Sequence, residues 1–225
     1  MSQIVPDAIE QYLAALHGPA DDVLEQIERE GRAAGLPLVQ EPSGRFLRTL
    51  AFAAGARHIL EIGTAIGFSA LWMAGALPPE GRLITIELDP QRAATARANI
   101  QLAGKGDQIS VIVGDAMRYL HKVAGPFDLI FQDSHKPLYE PMLDRLVGLL
   151  RTGGVLVSDN VLWSGEVVEG YINPPQRDPA DTEALRSYSR RLMSDPRLFT
   201  TVLPVGDGLA VSVKVASNPS AEAQA

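Results

Sequence analysis

His58-Ile59-Leu60-Glu61-Ile62-Gly63-Thr64-Ala65-Ile66-Gly67 is an apolar run of strand length that ends in a glycine-spaced turn, and the helix-like stretch Phe68 to Leu77 follows at once. A buried strand passing through a glycine turn into a helix is the opening unit of a parallel α/β sheet. The rhythm repeats downstream. Leu83 to Glu87 precedes Gln91 to Ala103, Ile109 to Val113 precedes Ala116 to Val123, and Phe127 to Gln132 precedes Tyr139 to Leu150, before Val155 to Ser158 closes the series. Such alternation predicts right-handed βαβ units covered by helices on both faces. The last two runs, Phe199 to Leu203 and Leu209 to Val215, are joined only by residues 204–208. A connection that short demands antiparallel pairing. The expectation is a mostly parallel seven-stranded α/β sheet finished by a C-terminal hairpin.

Ahead of the first strand, Ile9, Leu13 and Leu16, then Val23, Leu24 and Ile27, then Phe46, Leu47 and Leu50 fall at helical spacing, punctuated by Gly18-Pro19 and Gly35-Leu36-Pro37. One domain over 1–216 is expected, with N-terminal helices over 1–55 and the alternating core over 56–216. Residues 217–225 hold no large apolar side chain and read as a disordered tail. A hydrophobic share of 46% over 225 residues suits one soluble domain. No run reaches the ~18 consecutive apolar residues of a membrane helix, and Met1 to Glu10 lacks a signal-peptide layout, so a cytoplasmic location with no membrane partner is expected.

A net charge of −7 argues against general attraction to nucleic acid, and the Arg186, Arg190, Arg191, Arg197 cluster reads first as a solvated helix face. With no cysteine, a metal here must be held by oxygen or by the four histidines. Oxygen is offered at two places. Asp133-Ser134-His135-Lys136 and Ser158-Asp159-Asn160-Val161-Leu162-Trp163 each follow an apolar strand, so Asp133, Asp159 and Asn160 can converge at one sheet edge beside Lys136. That donor set suits a hard divalent cation, magnesium first and manganese or calcium as alternatives. Such an ion would draw a phenol-like hydroxyl from a pKa of about 10 toward neutrality. Lys136 could take the proton, although at an ordinary pKa of ~10.4 it needs the cation's help. Its competing role is a salt bridge to Asp133. His135 reads as packing on a cofactor base or facing solvent.

The glycines at 63 and 67 let the chain turn tightly and approach a ligand. Ala65 breaks the pyrophosphate spacing, so a compact nucleoside fits better than a dinucleotide. Glu87 closes the next strand, where a carboxylate can accept from ribose hydroxyls; the alternative is a surface carboxylate. Glu61 lies within an apolar stretch and needs a partner, either the amino group of an amino-acid-like ligand or a structural arginine. Asp115 could accept from an exocyclic amine or cap the following helix.

These segments together resemble the cation-dependent, S-adenosylmethionine-using O-methyltransferases, the group containing the catechol and caffeoyl-CoA enzymes. Leu60 to Thr64, Asp133 with Lys136 and Tyr139, Asp159 to Trp163, and Gly206-Asp207-Gly208-Leu209 stand in that family's order. The resemblance spans about Val39 to Lys214 and implies the class I methyltransferase (Rossmann-like) fold. Carried onto matching positions, it implies cofactor contacts from Val39, Glu61, Gly63, Thr64, Ser69, Glu87, Ala116 and Asp133. The metal would lie at Asp133, Asp159 and Asn160, Lys136 would be the base, and Trp163 and Ser164 would face the substrate. The implied reaction is methyl transfer from S-adenosylmethionine to a small aromatic diol, catechol-like or hydroxycinnamoyl-type, by a homodimer. Gln132, Ser134 and His135 depart from the family's more usual Ile, Ala and Asp, and Ser189 stands where many members have asparagine. Other readings are a tRNA hydroxyuridine O-methyltransferase of the same fold, or a cofactor-binding module without chemistry. The Asn173 to Pro179 loop, following the Asp159 corner, is expected to overhang the site.

Overall fold

Seven strands form one sheet in the order β3-β2-β1-β4-β5-β7-β6, where β1 is His58–Ile62, β2 Arg82–Glu87, β3 Ile109–Val113, β4 Phe127–Gln132, β5 Leu150–Ser158, β6 Leu198–Leu203 and β7 Leu209–Lys214. β1 to β5 pair in parallel, and β7 runs antiparallel to both β5 and β6, as the sequence predicts. The computed structural model describes residues 5–18 and 20–216; the tail expected at 217–225 lies outside the described residues.

Two apolar layers cover the sheet. One packs α2 (Asp22–Ala33), α3 (Glu41–Ala53), α4 (Phe68–Ala74) and α5 (Pro90–Leu102) around Ile59, Leu83 and Phe131. The other packs α7 (Tyr139–Leu149) and α8 (Pro179–Ser194) around Leu60, Ile130 and Leu156. Alternate residues of each central strand feed opposite layers, which is why these strands read as unbroken apolar runs. α1 (Asp7–His17) buries no residue. Among the described residues, no helix is long and apolar enough to cross a membrane.

The structure departs from the sequence expectation after β3. The helix predicted to reach Val123 ends early: α6 covers only Ala116–Tyr119. Arg145 of α7 donates to the carbonyls of Leu120 and Val123 at 2.9 and 2.8 Å. A guanidinium from another helix thus takes carbonyls that a longer helix would use itself.

β1 also carries one carboxylate into the core. Glu61 is fully buried, and no arginine meets it: the Ser69 hydroxyl of α4 donates to Oε1 and the Thr85 hydroxyl of β2 to Oε2, each at 2.5 Å. Thr64 extends the chain through a 2.5 Å contact to Thr85. Burial, opposed by those two bonds, pushes the Glu61 carboxyl up to about 7. The folded state therefore holds a proton that the unfolded chain releases near 4.5, so stability from this group is complete below about pH 4.5 and declines until about pH 7. The decline amounts to about 3 kcal/mol at ~1.4 kcal/mol per unit. Denaturant titrations across pH 4–8 on ligand-free protein should show Glu61→Gln less steep than wild type over that window. Parallel profiles for the two proteins would contradict it.

Candidate active site

Register places the site. Ile62 pairs with Gln132 and Ile86, and Gln132 pairs with Ser158, so the next residues Gly63, Glu87, Asp133 and Asp159 emerge side by side at the carboxyl edge. Between β1 and β4 the strand order reverses direction, and ligands of open α/β sheets bind at that crevice. A cavity of about 1070 Å³ opens there. It is lined by Val39, Gly63, Thr64, Ser69, Glu87, Asp115, Ala116, Asp133, Lys136, Asp159, Asn160, Trp163 and Ser164. Of the residues the sequence nominates, Glu61 alone lies off the wall, sealed behind Ser69.

At the β1 end the backbone is built around Glu87. Its Oε2 accepts from the amides of Thr64 and Ala65 at 3.2 and 2.8 Å, and Oε1 accepts from Asp89 at 2.9 Å. It is buried, not a surface carboxylate, and about one of its roughly four acceptor positions is left for a ligand. Gly63 has a second reason to be glycine. A Cβ there would collide with the Asp133 carbonyl, and its φ is +98°. The glycine thus lets β1 and β4 leave the sheet in contact, while Gly67, at φ +87°, starts α4. Asp115 is the N-cap of α6, its Oδ1 accepting from Met117 at 2.9 Å. His135 is exposed at the cavity wall, and Ser134 keeps a buried hydroxyl with no partner beside it.

At the β4–β5 end the acidic side chains meet one ammonium. Lys136 Nζ donates to Asp133 Oδ1 at 3.0 Å, to the Tyr139 hydroxyl at 2.9 Å and to Asn160 Oδ1 at 2.5 Å. All three of its donors are committed. The salt bridge to Asp133 and the approach to Asn160 therefore coexist. Asp159 is 3% exposed; burial first, and neighbouring Asp133 second, hold its carboxyl well above the ordinary range. Two carboxylates and an amide facing one cavity, with one carboxyl resisting ionisation, are a donor set that a hard cation would satisfy. Tyr139 is fully buried, and burial with both aspartates raises its phenol far above the usual range, so it stays a neutral relay to the Asp159 carbonyl at 3.2 Å.

The backbone is strained at this edge. Among the described residues, every non-glycine with positive φ (Ala65, Asn160, Trp163 and Ser164) lines the cavity. Each such residue costs on the order of 1–3 kcal/mol, so the surrounding structure must hold it in place. Asp207, in the β6–β7 connection, supplies that hold. Its Oδ1 accepts from the Ser164 amide and, at 3.1 Å, from the Ser164 hydroxyl, and its Oδ2 accepts from Asn160 Nδ2 at 3.3 Å.

Sequence motifs alone give no role to Asp207 or Arg177. The first is visible only as part of Gly206-Asp207-Gly208, the second only as the arginine of the 173–179 loop. That loop does reach the site, through Arg177. Gln132 turns away from the cavity into a buried network, its Oε1 accepting from Tyr188 at 2.8 Å and its Nε2 donating to the Tyr139 carbonyl at 3.2 Å. The arginine cluster is neutralised in place: Arg186 and Arg190 pair with Glu183, and Arg191 and Arg197 pair with Asp144 and Asp195.

A sequence model of the O-methyltransferase family matches residues 20–215. The chain is 35% identical over 224 residues to the catechol O-methyltransferase of Niastella koreensis, covering 95% of this chain and 99% of that one. It is 36% identical over 216 residues to the catechol O-methyltransferase of Mycobacterium tuberculosis, covering 92% and 96%. The crystal structure of the O-methyltransferase from Bacillus cereus in complex with SAH aligns with a TM-score of 0.81 at 33% identity, covering 92% of this chain and 97% of that chain. The match includes the strands, the glycine turn, both acidic corners and the terminal hairpin, and the chain belongs to the O-methyltransferase family.

Proposed function

We propose that this enzyme transfers the methyl group of S-adenosylmethionine to one hydroxyl of a vicinal aryl diol, with a divalent cation held by Asp133, Asp159 and Asn160. The observation that carries the reading is the joining of that oxygen set and Lys136 to a nucleoside-sized crevice in one continuous cavity. Its volume, about 1070 Å³, is at the upper end for ligand sites and suits a cofactor and an acceptor together.

Residues at the β1 end fit the cofactor. Ser69 spends its proton on Glu61 and keeps its lone pairs toward the cavity, where they can accept from an ammonium. Glu87 meets a ribose hydroxyl, and Asp115, Ala116 and Ser134 border the base. Val39 supplies apolar wall, and Gly63 and Thr64 supply backbone. S-adenosylmethionine contributes an electrophilic methyl on a sulfonium sulfur.

At the other end, Asp133, Asp159 and Asn160 would hold a divalent cation, whose charge would acidify adjacent hydroxyls. Lys136, anchored by Tyr139, is placed to accept the acceptor's proton as a neutral amine, a form that requires its ammonium proton to leave first and that a nearby cation would favour. Trp163 and Ser164 line this end of the cavity. The residues contribute mainly by orientation and by fixed charge.

Lys136→Ala should lower kcat by about 10²–10⁴-fold, the usual weight of a general base, while calorimetric affinity for the cofactor stays near wild type. Chelator-treated protein should lose methyl transfer to catechol and regain it with magnesium or manganese. Full turnover by metal-free protein, measured with labelled cofactor, would overturn the cation's role. A parallel assay on hydroxycinnamoyl thioesters, flavonoids and hydroxylated tRNA sets the acceptor class. Transfer confined to tRNA would replace the aryl diol reading.

A further inference from the structure

Arg177 stands out at the acceptor end of the cavity. Its guanidinium lies over the Trp163 ring, 4.6 Å from the centroid, and its Nη2 donates to Ser164 Oγ at 3.3 Å. Among the described residues that side chain has no carboxylate partner, although Asp207 stands just behind Ser164. The placement is built. Buried Glu166 accepts from the amides of Gln176 and Arg177 at 2.9 and 3.2 Å, and Arg186 of α8 donates to the Glu166 and Val167 carbonyls at 3.1 and 3.0 Å. A committed carboxylate and a paired helix thus hold the backbone of an otherwise exposed loop.

Charge makes the position informative. Asp133, Asp159 and Asp207 make this end acidic, and the three donors of Lys136 are committed to Asp133, Tyr139 and Asn160. Arg177 is the cation there that retains unused donors. Both approach the Trp163 ring, Lys136 Nζ at 5.6 Å from its centre and the guanidinium at 4.6 Å. The cations are therefore no farther apart than those two distances combined, so one small aromatic acid can reach both.

Resting on the aryl diol reading, we propose that Arg177 is a specificity-determining residue that binds a carboxylate carried by the acceptor on the side away from its hydroxyls. The guanidinium fork receives it at the mouth, with donors that no carboxylate among the described residues occupies. Acidic aryl diols, such as dihydroxybenzoate or a dihydroxycinnamate, are then favoured over catechol and over an aminoethyl-substituted catechol. The free energy is electrostatic and partly exposed, so the preference weakens as salt rises.

The test is kcat/KM for dihydroxybenzoate, catechol and aminoethylcatechol in wild type, Arg177→Gln and Arg177→Lys. Wild type should prefer the acid. Arg177→Gln should cut the acid-to-catechol ratio by about tenfold, equivalent to ~1.4 kcal/mol, chiefly through KM. Arg177→Lys should keep part of that ratio. An unchanged ratio, or an equal loss on all three acceptors, overturns the assignment. A calorimetric arm separates it from the underlying function: dihydroxybenzoate is titrated into wild type and Arg177→Gln, both with SAH and magnesium. Equal affinities sink the role of Arg177, whereas absence of methylation of every diol by every variant sinks the aryl diol reading.

Discussion

Parallel pairing of β4 with β5 is the constraint on which the site depends. With Gln132 opposite Ser158, the next residues of the two strands are Asp133 and Asp159, and neighbouring strands are only ~4.8 Å apart. Two carboxylates cannot leave one sheet edge so close together without a charge cost. Lys136 offsets part of it, three residues after Asp133 and 8% exposed. Burial, and after it the neighbouring Asp133, leave the Asp159 carboxyl raised all the same. Burial and mutual repulsion, both set by the backbone register, thus leave at this edge an acidic pair that a cation would relieve.

The same register explains the other end. Because Ile62 pairs with both Ile86 and Gln132, Gly63 sits between Glu87 and Asp133. Glu87 bonds the amides of Thr64 and Ala65, and the Asp133 amide donates to the Ile62 carbonyl at 2.8 Å. The turn after β1 and the acidic corner after β4 are therefore one hydrogen-bonded ledge. A side chain at 63 would push β4's exit away and widen the gap on which both ends rely.

The sheet was legible because buried parallel strands carry continuous apolar runs, and β1, β3 and β4 match the expected residues from end to end. The acidic corners were legible for a related reason, since each lies at the end of such a run. What could not be read were contacts between distant residues of ordinary type. Nothing near Ala116 announces that Arg145 will take the carbonyls after α6. Glu61 signals a need for a partner, but two hydroxyls on separate elements meet it in place of an arginine. Arg177 becomes notable only once Glu166 and Trp163 are seen to hold it.

Lys136 is tied to the core through a neutral group, the Tyr139 phenol. Tyr139 accepts from it and donates to the Asp159 carbonyl, so one phenol spans both acidic corners. The Tyr139 carbonyl receives Gln132, whose oxygen receives Tyr188 of α8; Tyr188 also meets Ser158 at 2.6 Å. The Tyr139 and Tyr188 rings pack edge to face at 5.2 Å. Burial keeps both phenols protonated, so this scaffold holds its bonding pattern while the carboxylates above it change charge. On the proposed reading, a site that takes up a cation and passes a proton would need one such part whose ionisation does not follow theirs. An isoleucine at position 132 would have no hydrogen-bonding group to offer Tyr188. The glutamine here extends that neutral support from the strand edge into the helix layer.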